Sequence, residues 1–261
     1  MERITSANNP TLKLARKLLR SSRERQRSNM ILLDGVHLIS EYALRFGLSD
    51  VVVLLDQGAV QTSEHHALTS CLPADAKVCE VVSTLFKTLS PVDTPTGIVA
   101  LASRPAVEAS GENLGFQLLL DGVQDPGNLG SILRTAAATG VDAVTLTSSC
   151  ADPWSPKCLR GGMGAQFVLP LSRADDTMAT VKKFVGRTIA TSPHAGLSLM
   201  AADLSPPLIV MFGGEGAGLP AHLVSGADTT VHIPMQNNVE SLNVAAAVAM
   251  ICYERLRQAT G

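Results

Sequence analysis

The chain has 261 residues, of which 46% are hydrophobic, 17% charged and 3% aromatic, with a net charge of −2. That describes a soluble globular protein with room for one large domain or two ordinary ones, its cores built from Leu, Val, Ile and Ala. Five scattered cysteines without a C-x-x-C pair exclude a disulfide framework or zinc site, and the longest nearly apolar run, Val244–Tyr253, is too short to span a bilayer.

Charge is unevenly spread. Residues 1–30 carry eight basic side chains against Glu2 and Glu24, which leaves −8 on the remainder. After Pro10, apolar Leu12, Ala15, Leu18 and Leu19 recur at helical spacing. Lys13, Arg16, Lys17, Arg20, Arg23 and Arg27 recur at steps of three and four on the other side. The pattern predicts one amphipathic helix with a basic face, either a solvated surface or a phosphate-binding one.

Short apolar runs then alternate with helical patterns. Strands are predicted at Met30–Leu33, Val51–Leu55, Val78–Val82 and Ile98–Ala102, and helices at Val36–Phe46, stopped by Gly47, and Glu64–Leu72. This is a small α/β domain over residues 1–103. The Pro-, Gly-, Ser- and Glu-rich stretch 104–114 reads as a linker. The second domain, 115–261, restarts the alternation. Strands are predicted at Gln117–Asp121, Ala143–Thr147, Phe167–Leu171, Thr188–Thr191, Leu208–Phe212 and Thr230–Ile233, with helices at Leu129–Thr139, Thr177–Val185 and Leu242–Gln258. Strands apolar on both faces and separated by helices imply a parallel sheet covered on both sides, with any ligand at the carboxyl ends of the strands.

Three loops that follow strands carry the most unusual residues. The first, Asp121–Arg134, enters a helix with Asn128 placed as an N-cap and Arg134 four residues beyond Gly130, on the same helix face. Arg134 can lean back toward free backbone N–H groups at the helix start, a combination suited to phosphate. The second, Gly213–Pro220, sets four glycines around Glu215; it meets neither the dinucleotide-binding nor the P-loop pattern. The third, Ile233–Val244, runs into an Ala-rich helix with Ser241 as a natural cap and Leu242 and Asn243 beside it.

Taken together, Asn128-x-Gly130-x-x-x-Arg134, Gly213-x-Glu215-Gly-x-Gly218-Leu219, and Ile233-Pro-Met235 ending in Ser241-Leu-Asn-Val244 resemble the three ordered motifs of the SpoU (TrmH-like) RNA ribose methyltransferases of the SPOUT superfamily. The likeness covers roughly Phe116–Arg257, and it includes the stretch Ser155–Ala165 with Arg160. The N-terminal half, with Ser6–Pro10, the basic helix, Glu41 and Thr94–Gly97, is similar to the family's substrate-binding domain. Two positions depart from it: Gln236-Asn-Asn238 stands where a glycine-containing turn is more frequent, and Gly161-Gly162 follows Arg160.

The resemblance implies an α/β fold in which a C-terminal SPOUT domain has a parallel sheet and a deep trefoil knot, beside a small N-terminal α/β RNA-binding domain. It implies S-adenosylmethionine held near Gly213, Ile233 and Leu242, and an obligate homodimer; the scattered cysteines and histidines and the lack of a signal-peptide pattern predict no metal and a cytoplasmic site of action. It also implies methylation of a ribose 2′-hydroxyl. Arg134 would be the catalytic residue, and Asn128, Glu215, Ser241 and Asn243 would hold it and the ribose in place. Arg134 would act as a proton acceptor or as a cation on the phosphate and developing alkoxide, and the sequence leaves both open. Lys13, Arg16, Lys17, Arg20 and Arg160 are the expected RNA contacts. Ribosomal RNA is favoured over transfer RNA. A non-enzymatic RNA-binding protein and a hydrolase are the rival classes; the intact Asn128, Arg134, Glu215 and Asn243 oppose the first, and the lack of a nucleophile elbow opposes the second.

Overall fold

The computed structural model describes residues 2–59, 63–73, 76–90, 95–108, 115–237 and 239–260. In the N-terminal half the elements are β1 (Glu2–Ile4), α1 (Pro10–Arg20), α2 (Ser22–Ser28), β2 (Met30–Asp34), α3 (Val36–Phe46), β3 (Val52–Asp56), α4 (Ser63–Ser70), β4 (Lys77–Val81), α5 (Ser83–Phe86) and β5 (Ile98–Ser103). The C-terminal half contains β6 (Phe116–Asp121), α6 (Pro126–Ala138), β7 (Ala143–Thr147), α7 (Pro156–Gly162), β8 (Leu171–Ala174), α8 (Thr177–Lys183), β9 (Arg187–Thr191), β10 (Leu197–Ser198), β11 (Leu208–Gly213), α9 (Ala221–Gly226), β12 (Thr229–His232) and α10 (Val244–Thr260).

The first five strands form a mixed sheet in the order β1-β4-β3-β5-β2, with β2 and β3 each antiparallel to β5. Its strands read as continuous apolar runs because both faces are covered. Ile31, Leu33, Val53, Leu55, Ile98 and Ala100 point to a core shared with Leu38, Ile39 and Tyr42 of α3 and Leu68 of α4. Their neighbours Leu32, Leu54, Val99 and Leu101 point the other way, to Leu12, Ala15 and Leu18 of α1. This period-two division fixes the register, since a one-residue slip would exchange the two cores.

The expected single basic helix is two. Ser21 ends α1 with extended backbone, and its hydroxyl accepts from Glu24 N at 3.2 Å to start α2. Arg23 and Arg27 therefore leave the face shared by Lys13, Arg16, Lys17 and Arg20. The cause is Arg25, which is buried: it pairs with Asp152 at 2.7 Å and donates to the Leu18 carbonyl at the end of α1.

All pairs in the second sheet are parallel, in the order β10-β12-β9-β11-β6-β7-β8, as the buried apolar strands predict. On one face Leu119, Ala190, Ile209 and Met211 meet Val181 of α8 and Leu223 of α9. α6 and α10 pack against each other, and α10 also touches β11. The predicted strand Phe167–Leu171 is displaced: Ala165–Phe167 is a 3-10 turn and β8 starts only after Pro170, which has no N–H for a ladder. β1 and the two-residue β10 were too short to show a pattern.

The chain forms two compact units, Met1–Ala106 with Asp152–Phe167, and Val107–Ala151 with Val168–Gly261. Asp152–Phe167 joins the first unit through Leu159, Phe167 and Trp154, which enter the core under α3, and through the Arg25–Asp152 pair. Most of the expected linker and the Thr94 end of Thr94–Gly97 lie outside the described residues, as does Asn238. No helix among the described residues is long and apolar enough to cross a membrane.

Candidate active site

Because β6, β11 and β12 run parallel in one sheet, the segments that leave their carboxyl ends emerge at the same edge. The three loops singled out in the sequence are those segments. Each is positioned by local chemistry.

In the first loop the helix cap is Asp125, not Asn128. Asp125 Oδ1 accepts from Asn128 N at 2.9 Å, and Pro126 occupies the first helical position, where a missing N–H costs nothing. The Asp-Pro pair was the available sequence signal. Relieved of capping, the Asn128 carboxamide is free for side-chain partners. In the third loop Asn243, not Ser241, caps α10: its Oδ1 accepts from Ala245 N at 2.9 Å and Ala246 N at 3.3 Å.

The second loop folds back on itself, with Gly214 and Gly218 bridged. A Cβ on Gly213 would stand 2.0 Å from the carbonyl carbon of Gly218, and one on Gly214 2.1 Å from the Gly122 oxygen. Both positions therefore require glycine, and the first two loops meet backbone to backbone. This fixes Glu215, which is exposed, beside the start of α6.

The result is a closed triangle. Asn128 Nδ2 donates to Glu215 Oε1, Asn243 Nδ2 donates to the same oxygen at 2.9 Å, and Asn243 Nδ2 also reaches Asn128 Oδ1 at 3.1 Å. One residue from each loop is thus tied to the other two. Arg134, one turn beyond Gly130 on α6, is exposed and has no hydrogen-bond or ion-pair partner among the described residues; no bond joins it to the triangle. Ser241 is exposed as well. Gly213, Ile233 and Leu242, at the end of β11, after β12 and before α10, are each half-buried.

The RNA contacts expected elsewhere belong to the first unit. Lys13, Lys17 and Arg20 are exposed along α1, whereas Arg16 is held by Thr88 Oγ1 at 2.9 Å and the Ala7 carbonyl at 3.1 Å. Arg160 pairs with Asp34 at 3.1 Å. Asp34 is also hydrogen-bonded by Thr96 and Ser90, yet burial outweighs these partners and raises its carboxyl above the usual range. Among the described residues no group of three or more His, Cys, Asp or Glu side chains is placed to hold a metal.

A parallel sheet presenting three interlocked loops at one edge, the first two glycine-bearing, with an arginine on the first helix that has no partner among the described residues, defines a transferase-type site for a nucleotide-like ligand. Residues 115–253 match the SpoU rRNA Methylase family and residues 9–100 the MRM3-like substrate binding domain, and the chain belongs to the SpoU family. It is 38% identical to a tRNA/rRNA methyltransferase of Synechocystis sp., over 98% of this chain and 93% of that one. It is 31% identical to the 23S rRNA (guanosine(2553)-2'-O)-methyltransferase RlmP of Bacillus subtilis, over 97% and 98% of the two chains. Among solved structures it resembles the SpoU methyltransferase AviRb from Streptomyces viridochromogenes in complex with AdoMet, with a TM-score of 0.86 and 26% identity over 97% and 98% of the chains.

Proposed function

We propose that this protein methylates a ribose 2′-hydroxyl of ribosomal RNA, using S-adenosylmethionine. The observation that carries this reading is the Asn128–Glu215–Asn243 triangle, which joins all three family motifs at the carboxyl edge of the sheet. The names of the relatives, RlmP among them, favour ribosomal over transfer RNA.

The residues present suit the cofactor. Half-buried Ile233 and Leu242 offer apolar surface, the crowded Gly213 segment offers only backbone, and Glu215 is an acceptor for a cationic or hydroxyl-bearing ligand. When bound, S-adenosylmethionine supplies an electrophilic methyl group. The chain must align the hydroxyl with it and stabilise charge as the S–CH3 bond breaks and the hydroxyl proton passes to the RNA phosphate or to solvent. Arg134 is free to do the second as a cation: it grips the RNA phosphate and the developing alkoxide, a role compatible with a guanidinium that stays protonated. The triangle holds the loop from which α6 starts, and so fixes where Arg134 is presented.

Residues 1–103 would capture RNA through Lys13, Arg16, Lys17 and Arg20 of α1, with 104–114 as linker and 115–261, apart from the segment Asp152–Phe167 that folds with the first unit, as the catalytic domain. The knot and the homodimer of the family belong to the same proposal. Met250 and Tyr253 on α10 are exposed at 45% and 67%, an apolar face suited to a second copy. Five free thiols suit a reducing compartment such as the cytoplasm.

The test is transfer of a labelled methyl group to ribosomal RNA and to transfer RNA, with the modified ribose mapped by primer extension. Arg134→Ala should abolish transfer while changing cofactor affinity by less than about threefold, and Arg134→Lys should also be severely impaired. Wild-type protein that binds cofactor but methylates neither RNA would overturn the proposal, and transfer to transfer RNA alone would reassign the substrate.

A further inference from the structure

The first unit contains a cavity of about 430 Å³, within the size range of small-ligand sites, that plays no part in the methyl-transfer chemistry. It is lined by Asp34, Gly35, His37 and Leu38 around the start of α3, by Glu64 and His65 of α4, by Thr96, and by Arg160 and Met163 from the segment that joins this unit. Its floor is built. Asp34 has a side chain 1% exposed, and it holds Arg160 at 3.1 Å while accepting from Thr96 Oγ1 at 3.1 Å. His65, also buried, donates from Nε2 to the Thr96 carbonyl at 3.1 Å. Gly35 has φ of +96°, and a Cβ there would press on the Thr96 methyl at 3.3 Å, so a side chain at this part of the cavity wall would be strained.

Several groups remain for a ligand. The Arg160 side chain is 38% exposed although it is paired, so part of its donor fork faces outward. Glu64 is exposed and has no hydrogen-bond partner among the described residues. His37 and Met163 are exposed and offer a ring face and a thioether. With two carboxylates against one guanidinium, the lining is a poor host for a phosphate or a peptide carboxylate. A neutral planar ligand with acceptors on one edge and donors on the other fits it. Among the RNA bases, guanine has that division: O6 and N7 accept from an arginine, and N1–H and the 2-amino group donate to a carboxylate. Unpaired bases are recognised in this way, splayed from the strand and stacked on a ring or a guanidinium plane.

We propose that this cavity binds an unpaired guanine of the RNA substrate, with Arg160 and Glu64 reading its two edges and His37 and Met163 against its face. This rests on the reading of the chain as an RNA methyltransferase. It adds a base-specific contact to a domain that otherwise meets RNA through phosphates.

The experiment uses the full chain, labelled on methionine methyls and saturated with S-adenosylhomocysteine so that the catalytic site is filled. Guanosine 5′-monophosphate should shift the Met163 methyl resonance and bind at least about tenfold more tightly than the adenosine, cytidine and uridine monophosphates. Glu64→Gln, at an exposed position with no hydrogen-bond partner among the described residues, should lose that preference with the fold intact. Arg160→Gln should lose it too, with some cost from leaving Asp34 without its partner. Equal binding of all four nucleotides, an equal Met163 shift with inorganic phosphate, or unchanged selectivity in Glu64→Gln would each overturn the proposal. Methyl transfer to ribosomal RNA is measured in parallel. Transfer without a guanine response sinks this inference alone, whereas a guanine response without transfer sinks the assigned activity and leaves the pocket standing.

Discussion

Asn243 donates from its side-chain amide to Glu215 at 2.9 Å while its own side-chain oxygen caps α10, so one residue both starts the last helix and locks it to the glycine-rich loop. The Glu215 oxygen that accepts this bond also accepts from Asn128. Replacing Glu215 with Gln offers a neutral amide to two amide donors and loosens all three loops. Turnover should fall by roughly 10- to 100-fold, the scale of a misplaced catalytic group. Stability should move by no more than about 0.5 kcal/mol, because the side chain is exposed. Single-turnover kinetics beside thermal denaturation checks both, and an unchanged rate would remove the triangle from the site.

Gly213→Ala tests the fold of the cofactor loop. The added methyl meets backbone at 2.0 Å, which no rotamer change relieves, whereas a Cβ on Gly216 meets nothing within 4 Å. Gly213→Ala should cost about 1–3 kcal/mol and lose cofactor binding in calorimetry. Gly216→Ala should retain both, and equal behaviour of the two variants would contradict the packing described.

Exposed Lys13, Lys17 and Arg20 define a phosphate-facing stripe on α1. Changing all three to Gln should weaken RNA binding and reduce the slope of log affinity against log salt by about 2, without affecting cofactor binding. Arg16 is better left in place, since its bonds to Thr88 and Ala7 hold the helix. A salt titration with an unaltered slope would make the stripe merely a solvated face.

The Arg25–Asp152 pair has side chains only 5% and 11% exposed. Arg25→Met leaves a buried carboxylate unpaired and frees the end of α1, so the first unit should lose about 3–5 kcal/mol. Denaturant unfolding followed at Trp154, which packs in that unit's core, reads this directly. A loss below about 1 kcal/mol would mean that the pair does not anchor the segment.

Glu254 is held at about 2, below its ordinary 4.5, first by the hydrogen bonds of Arg257 and then by Gln258. Its folded value lies below the unfolded one, so its contribution is present above about pH 4.5 and is lost as the pH falls toward 2. Arg257→Ala should return the carboxyl toward the ordinary range in an NMR titration and move acid unfolding to higher pH. A Glu254 value that stays near 2 would show that Arg257 is not the cause.

The sequence by itself determined the strands that alternate between two cores, the parallel second sheet, and the loops that carry Asn128, Arg134, Glu215 and Asn243. Each of these is written in a local period or a short motif. Only the tertiary structure decided which residues cap and which are left for the site: Asp125 takes the cap of α6 and frees Asn128, and Asn243 displaces Ser241. It likewise decided that the basic helix breaks at Ser21, because Arg25 must reach an aspartate 127 positions away, and that Asp152–Phe167 folds with the first unit. The bonds of the triangle span 87, 115 and 28 positions. Such contacts leave no periodic trace in the chain, because their partners are brought together only when the sheet sets its strand ends side by side.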